Sequence, residues 1–191
     1  MAHPNLEVEI KLPVTHLPTT QARIAHLGWQ PVTPRTLEIN ILLDQPDSSL
    51  RNKGVILRLR QYGDRAVLTF KGPGQEGKHK VREELETSIG DLQTTQVIFG
   101  HLGYHPTFRY EKYRTEFTDG AGHLTLDETP IGNFLELEGP PDWIDSRAAQ
   151  LGYAESDYIT LSYGRLYAAY CQRENRPMNH MVFEESASSE G

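Results

Sequence analysis

The 191-residue sequence contains a single cysteine, Cys171. One cysteine excludes an internal disulfide and any zinc site built from cysteines. The histidines are scattered, and none of them has the H-E-x-x-H spacing of a zinc peptidase. The chain also lacks the run of about 20 apolar residues that a membrane-spanning helix requires. We therefore predict neither a zinc centre of these kinds nor a membrane partner.

The chain lacks an excess of positive charge as well. It has 19 lysines and arginines against 26 aspartates and glutamates, a formal net charge of -7. Overall basicity is the usual property of a protein that coats nucleic acid, so we predict no nucleic-acid partner. The pattern of a secretory signal, a charged segment followed by an apolar stretch, is missing at the start, and we expect a cytoplasmic location.

What the sequence does contain is regular alternation of aliphatic and charged residues. In residues 6–12, Glu7, Glu9 and Lys11 alternate with aliphatic residues. The same alternation returns in residues 57–60, 112–114, 124–127 and 134–138. Successive side chains of a strand point to opposite faces of the sheet. The pattern therefore predicts strands with one apolar and one charged face.

The chain reads as a series of strands interrupted by helices. We predict eight strands, at residues 6–12, 37–44, 55–61, 66–71, 80–88, 110–118, 123–128 and 133–138. Short turns join most of them, which favours antiparallel pairing. Three predicted helices end at Leu27, Leu102 and Leu151, each followed by glycine and an aromatic residue, and a fourth is predicted from Tyr158 to Arg173. We expect one domain over residues 1–173 and a disordered tail over residues 174–191.

The charged residues of these strands come in same-sign pairs, such as Glu7 with Glu9 and Arg58 with Arg60. Residues two apart on one strand face lie roughly 7 Å apart, so like charges repel unless opposite charges face them. An open sheet with its charges in water is the common arrangement of alternating strands. The alternative is a closed barrel with the charges inside, where acids and bases would nearly balance. The acids are Glu7, Glu9, Glu84, Glu86, Asp127, Glu136 and Glu138, and the bases are Lys11, Arg58, Arg60, Lys71, Lys80, Arg82, Lys112 and Arg114.

A balanced interior of this kind suits one class of ligand. Converging cations suit a polyanion, and clustered carboxylates suit a hard divalent cation with oxygen ligands. A triphosphate bound together with Mg²⁺ or Mn²⁺ satisfies both requirements. The charged faces therefore predict a small-molecule triphosphate as the partner and a divalent metal as the cofactor.

The order of these motifs resembles a known family, the CYTH domain of the triphosphate tunnel metalloenzymes. The motifs are Glu7-x-Glu9-x-Lys11, Arg58-x-Arg60, Lys71-Gly72-Pro73, Arg82-Glu83-Glu84-x-Glu86, Lys112-x-Arg114, Asp127 and Gly132-x-Phe134-x-Glu136-x-Glu138. The family includes class IV adenylate cyclases, thiamine triphosphatases and inorganic triphosphatases. The resemblance runs from Leu6 to about Tyr170. It implies an α+β fold, an eight-stranded antiparallel barrel that forms a tunnel with a charged interior and helices outside.

The resemblance also implies roles for individual residues. The metal ligands it implies are Glu7, Glu9, Glu136 and Glu138, to which we add Glu86 as a wall residue. The phosphate ligands are Lys11, Arg58, Arg60, Lys71, Lys112 and Arg114, to which we add Lys80 and Arg82 because they share a strand face with Glu84. The catalytic candidates are Lys11, Lys71, Glu84 and Asp127. The general base is left open between a lysine with a lowered pKa, Lys11 or Lys71, and a base supplied at the metal site.

The motifs look most like the cyclase branch, because Lys71-Gly72-Pro73 occurs together with Arg82-Glu83-Glu84. We expect ATP to be converted to cyclic AMP and pyrophosphate. Two departures count against a thiamine triphosphatase: Leu42-Leu43-Asp44 replaces an aromatic pair before an aspartate, and a later lysine found in some triphosphatases is missing after Lys112. Two alternatives stay open, a triphosphatase acting on inorganic triphosphate, thiamine triphosphate or a nucleoside triphosphate, and a non-catalytic triphosphate-binding module. A monomer and a homodimer are both compatible with the sequence.

Overall fold

The computed structural model of the protein describes residues 6–75 and 77–184. Within these residues, eight strands form one closed antiparallel barrel in the order β1-β5-β4-β3-β2-β6-β7-β8, and β8 pairs back with β1. The strands are β1 (Leu6–Val14), β2 (Pro31–Asp44), β3 (Ile56–Tyr62), β4 (Arg65–Lys71), β5 (Lys80–Ile89), β6 (His105–Thr118), β7 (His123–Thr129) and β8 (Gly132–Glu138). The predicted eight-stranded antiparallel tunnel is confirmed.

Helices connect the strands on the outside of the barrel. They are α1 (Leu17–His26), α2 (Ser49–Asn52), α3 (Leu92–His101), α4 (Pro141–Gln150) and α5 (Tyr163–Arg173). The last helix begins at Tyr163 rather than at the predicted Tyr158, because the preceding residues are extended and Ile159 exchanges two backbone hydrogen bonds with Lys11 of β1. Ser162 then caps α5 by accepting a hydrogen bond from the backbone of Arg165. None of the helices in the described part of the chain has the length and apolar character needed to cross a membrane.

The aliphatic faces of β1, β7 and β8 point out of the barrel and are buried under α1 and α4. The buried side chains of this outer core include Ile10, Leu12, Leu124, Leu135 and Leu137 from the strands, and Ile24, Ile144 and Leu151 from the helices. Burying each such side chain contributes roughly 1.5–3 kcal/mol. Because the helices cover the aliphatic face, the charged face of the same strands is the one that lines the barrel.

The chain after α5 differs from the sequence prediction. Met181 is fully buried and pairs with β6, donating its N–H to the Arg109 carbonyl and accepting from the Glu111 N–H. The Tyr167 hydroxyl of α5 donates a 3.0 Å hydrogen bond to the carbonyl oxygen of His180. The chain from Glu174 to residue 184 therefore makes ordered tertiary contacts where the sequence predicted disorder. The prediction rested on composition, which does not show such contacts. Residues 185–191, the rest of that prediction, lie outside the described residues.

Candidate active site

The charged faces of the strands meet inside the barrel, around a cavity of about 520 Å³. Sites for small molecules typically measure about 300–1,000 Å³. Every charged residue that the sequence analysis assigned to a site lines this cavity, except Asp127. The common arrangement, an open sheet with its charges in water, is therefore not the one that this chain adopts.

Carboxylates gather where β1, β5 and β8 meet. Glu9 stands in register with Lys80 of β5 on one side and with Glu138 of β8 on the other. Glu9 pairs with Lys80, and the Glu7 Oε1 atom accepts a 2.7 Å hydrogen bond from the Lys71 Nζ atom. Within the described residues, no lysine or arginine forms an ion pair with Glu138. This group of Glu7, Glu9 and Glu138 is called the carboxylate cluster below.

A second group lies where β6, β7 and β8 meet. Arg114 donates two hydrogen bonds to Asp127, of 2.7 and 2.6 Å, and also contacts Glu136. The Lys112 Nζ atom lies 2.8 Å from Asp127 Oδ2, and the Tyr163 hydroxyl donates to the same oxygen at 2.7 Å. Asp127 is fully buried behind the cavity wall. It therefore holds two cations and a phenol in place and is not itself on the cavity surface.

Lys11 lies between the two groups. Its Nζ atom is 3.1 Å from Glu136 and 3.4 Å from Glu9. Burial acts to lower the pKa of Lys11, but the Glu136 and Glu9 carboxylates outweigh it and raise that pKa above its ordinary value. A raised pKa is the opposite of what a lysine general base requires, so this geometry favours the other candidates for that role.

Arg58 and Arg60 complete the wall on β3. The Arg58 Nη2 atom lies 3.2 Å from the Thr69 hydroxyl and 3.5 Å from a Glu84 carboxylate oxygen. Glu86 lies farther along β5, with 44% of its side chain exposed, and its Oε2 atom is 3.8 Å from Arg58 Nη2. Both arginines line the cavity, so a ligand bound inside the barrel can contact them.

Arg82 differs from the other predicted phosphate ligands. Its Nε and Nη2 atoms donate to the carbonyl oxygen of Gly72, and Nη2 also reaches the carbonyls of Gly54 and Lys71. The guanidinium thus joins the β4–β5 turn to the loop after α2. Arg82 lines the cavity, but most of its contacts are with the backbone.

Comparison with known proteins supports what this geometry indicates. A model of the CYTH domain matches residues 5–147. This chain belongs to the CYTH domain family.

Relatives of this CYTH domain carry cyclase names. A protein of Methanocaldococcus jannaschii named "Putative adenylate cyclase MJ0240" is 28% identical over 134 residues, which is 70% of this chain and 76% of the relative. A Vibrio parahaemolyticus structure described as a "putative adenylate cyclase" superposes with a TM-score of 0.78 at 22% identity, covering 87% of this chain and 99% of that one. A Hippeastrum protein, described as a "putative adenylyl cyclase" with a dominant triphosphatase activity, superposes with a TM-score of 0.63 at 16% identity, covering 91% and 97%. The two structural likenesses establish the fold.

The carboxylate cluster of this CYTH domain is electrostatically strained. Burial and the neighbouring Glu9 carboxylate raise the pKa of Glu7. Loss of hydration in the tunnel and the Glu7 carboxylate raise the pKa of Glu138 to about 7. Burial acts in the same direction on Glu9, but the Lys11 and Lys80 ammonium groups lower the pKa of Glu9 below its usual range. Ionisation of Glu138, which pairs with no lysine or arginine among the described residues, is therefore the least favourable in the cluster.

Mg²⁺ or Mn²⁺ fits this cluster by chemistry. All its donors are carboxylate oxygens, which these hard cations prefer, and a dication would relieve the repulsion between Glu9 and Glu138, which face each other across β1 and β8. As the side chains stand, no three acidic, histidine or cysteine side chains in residues 6–75 and 77–184 have the geometry of a metal site. Glu7 is turned to Lys71 and Glu9 to Lys80. Metal binding would require these carboxylates to turn away from their lysines.

The raised pKa of Glu138 predicts how the stability of the metal-free protein depends on pH. The folded state keeps this proton up to about pH 7, whereas the unfolded chain releases it near its ordinary value of 4.5. The proton therefore favours folding fully below the unfolded value, and that advantage disappears as pH rises through the folded value. Because Glu138→Gln cannot titrate, we expect the melting temperature of the wild type to fall relative to that of the variant between about pH 5 and about pH 8 in EDTA. A difference that stays constant or grows in favour of the wild type would contradict the raised pKa.

The sequence analysis missed three residues that support the site of this CYTH domain, namely Glu38, Asn40 and Tyr163. Glu38 and Asn40 alternate with aliphatic residues on β2, so the alternation that identified the other charged faces could have found them. Tyr163 shows no such signal, because its position depends on where α5 packs. Its ring lies 4.7 Å from the Lys112 ammonium, and burial together with Asp127 raises the pKa of its hydroxyl well above the ordinary value. The phenol is therefore a hydrogen-bond donor to Asp127 at every physiological pH.

Proposed function

We propose that this CYTH domain is a divalent-metal-dependent enzyme that acts on a triphosphate bound in the tunnel, and that it converts ATP to cyclic AMP and pyrophosphate. The observation that carries the proposal is the convergence of all eight predicted phosphate-binding cations and the carboxylate cluster on one cavity. In this reaction the ribose 3′-oxygen attacks the α-phosphorus, the bond to the β-phosphate breaks, pyrophosphate leaves, and the 3′-hydroxyl proton passes to a base.

The cations bind the substrate and neutralise the charge that develops on the leaving pyrophosphate. Positioning and charge neutralisation supply most of the rate enhancement in phosphoryl transfer, and both are strongest when the groups are oriented before the substrate binds. Lys112 and Arg114 are oriented in this way by Asp127. Asp127, predicted as a catalytic residue, is therefore assigned a positioning role.

Glu7, Glu9 and Glu138 are the residues that would hold the metal. When bound, it would supply further charge neutralisation at the phosphate oxygens. Glu136, a predicted metal ligand, is already paired with Lys11 and with cations of β6. We assign Glu136 to the support of these cations.

The residue that accepts the 3′-hydroxyl proton must reach the cavity. Lys11 stays protonated and Asp127 is behind the wall, which leaves Lys71 and Glu84 among the predicted catalytic residues. Burial acts to raise the pKa of Glu84, but Lys71 and Arg58 lower it overall, so Glu84 is ionised at neutral pH. We assign Glu84 as the acceptor of the 3′-hydroxyl proton.

A triphosphatase is the second candidate, because the Hippeastrum structure that shares this fold is described with a dominant triphosphatase activity. The same cations would then bind the substrate while water attacks the terminal phosphorus. A non-catalytic binding module is the weakest alternative, since a cluster of carboxylates weakens anion binding unless a cation joins it.

The test is to incubate the purified protein with ATP and, separately, with inorganic triphosphate, in the presence of Mg²⁺ or Mn²⁺, and to follow the products by phosphorus NMR. Cyclic AMP and pyrophosphate from ATP are the expected products. Orthophosphate from either substrate would replace the cyclase assignment by a triphosphatase. Binding of both substrates without any product would leave a binding module, and the absence of binding would overturn the proposal.

A further inference from the structure

Glu38 of β2 is a fully buried carboxylate surrounded by phosphate-binding cations. Its Oε1 atom lies 3.4 Å from the Lys112 Nζ atom and 3.6 Å from the Arg60 Nε atom, and its Oε2 atom lies 3.8 Å from the Arg114 Nε atom. Neither Glu38 nor its neighbour Asn40 lines the cavity, whereas all three cations do. A ligand in the tunnel therefore meets the cations first, and Glu38 can act on it only through them.

The contacts of Glu38 are mostly electrostatic. Its one hydrogen bond is with the Asn40 amide, which donates to Oε1 at 2.9 Å, and its buried Oε2 atom has no hydrogen-bond partner among the described residues. A buried carboxylate with an unsatisfied oxygen is unfavourable on its own, so such a group is kept in place by its surroundings. Here the surroundings are three positive charges that would otherwise repel one another.

Arg60 depends on Glu38 more than the other two cations do. Lys112 and Arg114 each have Asp127 as a closer partner. Arg60 has no other carboxylate within ion-pair distance in the described part of the chain. Its Nε atom instead donates to the Asn40 oxygen at 3.3 Å, and Asn40 in turn donates to Glu38. A short chain of contacts thus runs from Glu38 through Asn40 to Arg60.

We propose that Glu38 is a positioning residue for triphosphate binding, which holds Arg60 through Asn40 so that Arg60, Lys112 and Arg114 converge on the same part of the phosphate chain. This inference rests on the proposed function and adds to it a residue that supports the phosphate site from behind. It has a distinctive consequence. A carboxylate that only balanced charge would weaken anion binding, so its removal would tighten binding, whereas loss of a positioning residue weakens it.

The sign of the change in affinity therefore decides between the two roles. We would measure binding of inorganic triphosphate to the full chain by calorimetry in EDTA, so that no metal contributes. We expect Glu38→Gln to weaken binding about tenfold, the lower end of what loss of an outer support residue costs at metal sites. Unchanged or tighter binding would overturn the proposal. The comparison is repeated with Mg²⁺ in place of EDTA. A wild type that binds triphosphate under neither condition would overturn the proposed function and this inference with it, whereas a wild type that binds beside an equally tight Glu38→Gln variant would overturn this inference alone.

The matched control is Glu111→Gln. Glu111 is equally buried, stands opposite Ile39 on the neighbouring strand, and pairs with Arg109 outside the cavity. It measures the effect of losing a buried carboxylate from the same pair of strands. We expect its affinity for triphosphate to equal that of the wild type. A similar loss of affinity in both variants would show a general effect on the fold and overturn the positioning role.

Two further variants keep the inference testable if Glu38→Gln folds poorly. Glu38→Asp retains the charge but withdraws it from Asn40, and we expect it to weaken triphosphate binding by less than Glu38→Gln does. If Glu38→Asp binds triphosphate as tightly as the wild type, Glu38 does not act through its contact with Asn40.

In an Arg60→Met background, Glu38→Gln should weaken triphosphate binding far less than it does in the wild type, because the cation that Glu38 positions is already absent. Full additivity of the two changes would contradict the proposed route.

Discussion

Replacing Glu7 and Glu9 together by glutamine is expected to lower metal-dependent turnover of a triphosphate by about 10³-fold. Both carboxylates belong to the cluster at β1 and β8, where the pKa values of Glu7 and Glu138 are raised. Glutamine keeps the shape of each side chain but removes two of the negative charges that attract a dication. A bound metal supplies several kcal/mol of charge neutralisation, and about 1.4 kcal/mol corresponds to a tenfold change in rate.

Thermal unfolding separates loss of metal binding from loss of catalysis alone. A ligand that binds only the folded state stabilises it by RT ln(1 + [L]/Kd) and so raises its melting temperature. We expect Mg²⁺ or Mn²⁺ to raise the melting temperature of the wild type and to leave that of the double variant unchanged. Glu83→Gln is the matched control, because this exposed glutamate of β5 alternates with the cavity residues Arg82 and Glu84. If the metal still raises the melting temperature of the double variant, the carboxylate cluster is not the metal site.

Replacing Arg114 by methionine is expected to destabilise the protein by about 3–5 kcal/mol, because it leaves buried carboxylates without a partner. Arg114 makes two hydrogen bonds to Asp127 and contacts Glu136. Burial would lower the pKa of Arg114, but the Asp127 and Glu136 carboxylates raise it well above its ordinary value. Lys112 and Tyr163 still contact Asp127 in the variant, so we expect a value near the lower limit.

Urea denaturation measures this effect, and the control is Arg35→Met. Arg35 belongs to the same sheet and pairs with Glu128, but half of its side chain is exposed, 50% against 9% for Arg114. An exposed pair contributes about 0–1 kcal/mol. If the two substitutions lower the free energy of unfolding equally, the buried network does not have the stabilising role described here. Binding of triphosphate by Arg114→Met should be lost as well, since a phosphate-binding cation is removed.

Much of the tunnel could be predicted from strand periodicity. Glu7, Glu9, Arg58, Arg60, Lys112 and Glu136 were assigned to one face because alternate side chains of a strand share a face wherever the strand lies. Glu38 and Asn40 have the same alternation on β2 and were missed because they are not a same-sign pair. Asp127 is predicted on the correct strand face, but the sequence does not show that Lys112 and Arg114 lie between it and the cavity. The protonation of Lys11, one of the candidates left open for the base, could not be predicted for a similar reason, since its pKa depends on Glu136 of β8, which is its partner in the barrel but lies far from it in the chain.

The sequence by itself determined the local structure of this protein, which comprises the strands, their apolar and charged faces, and the need for helices to cover the apolar side. Those properties follow from a period of two residues and from the burial of aliphatic side chains, and both act along the chain. Only the tertiary structure decided which charges meet. Closure of the barrel pairs β1 with both β5 and β8, so that Glu9 faces Lys80 on one side and Glu138 on the other. The packing of α5 brings Tyr163 to Asp127. Electrostatic energies depend on distances between residues far apart in sequence, and folding alone sets those distances.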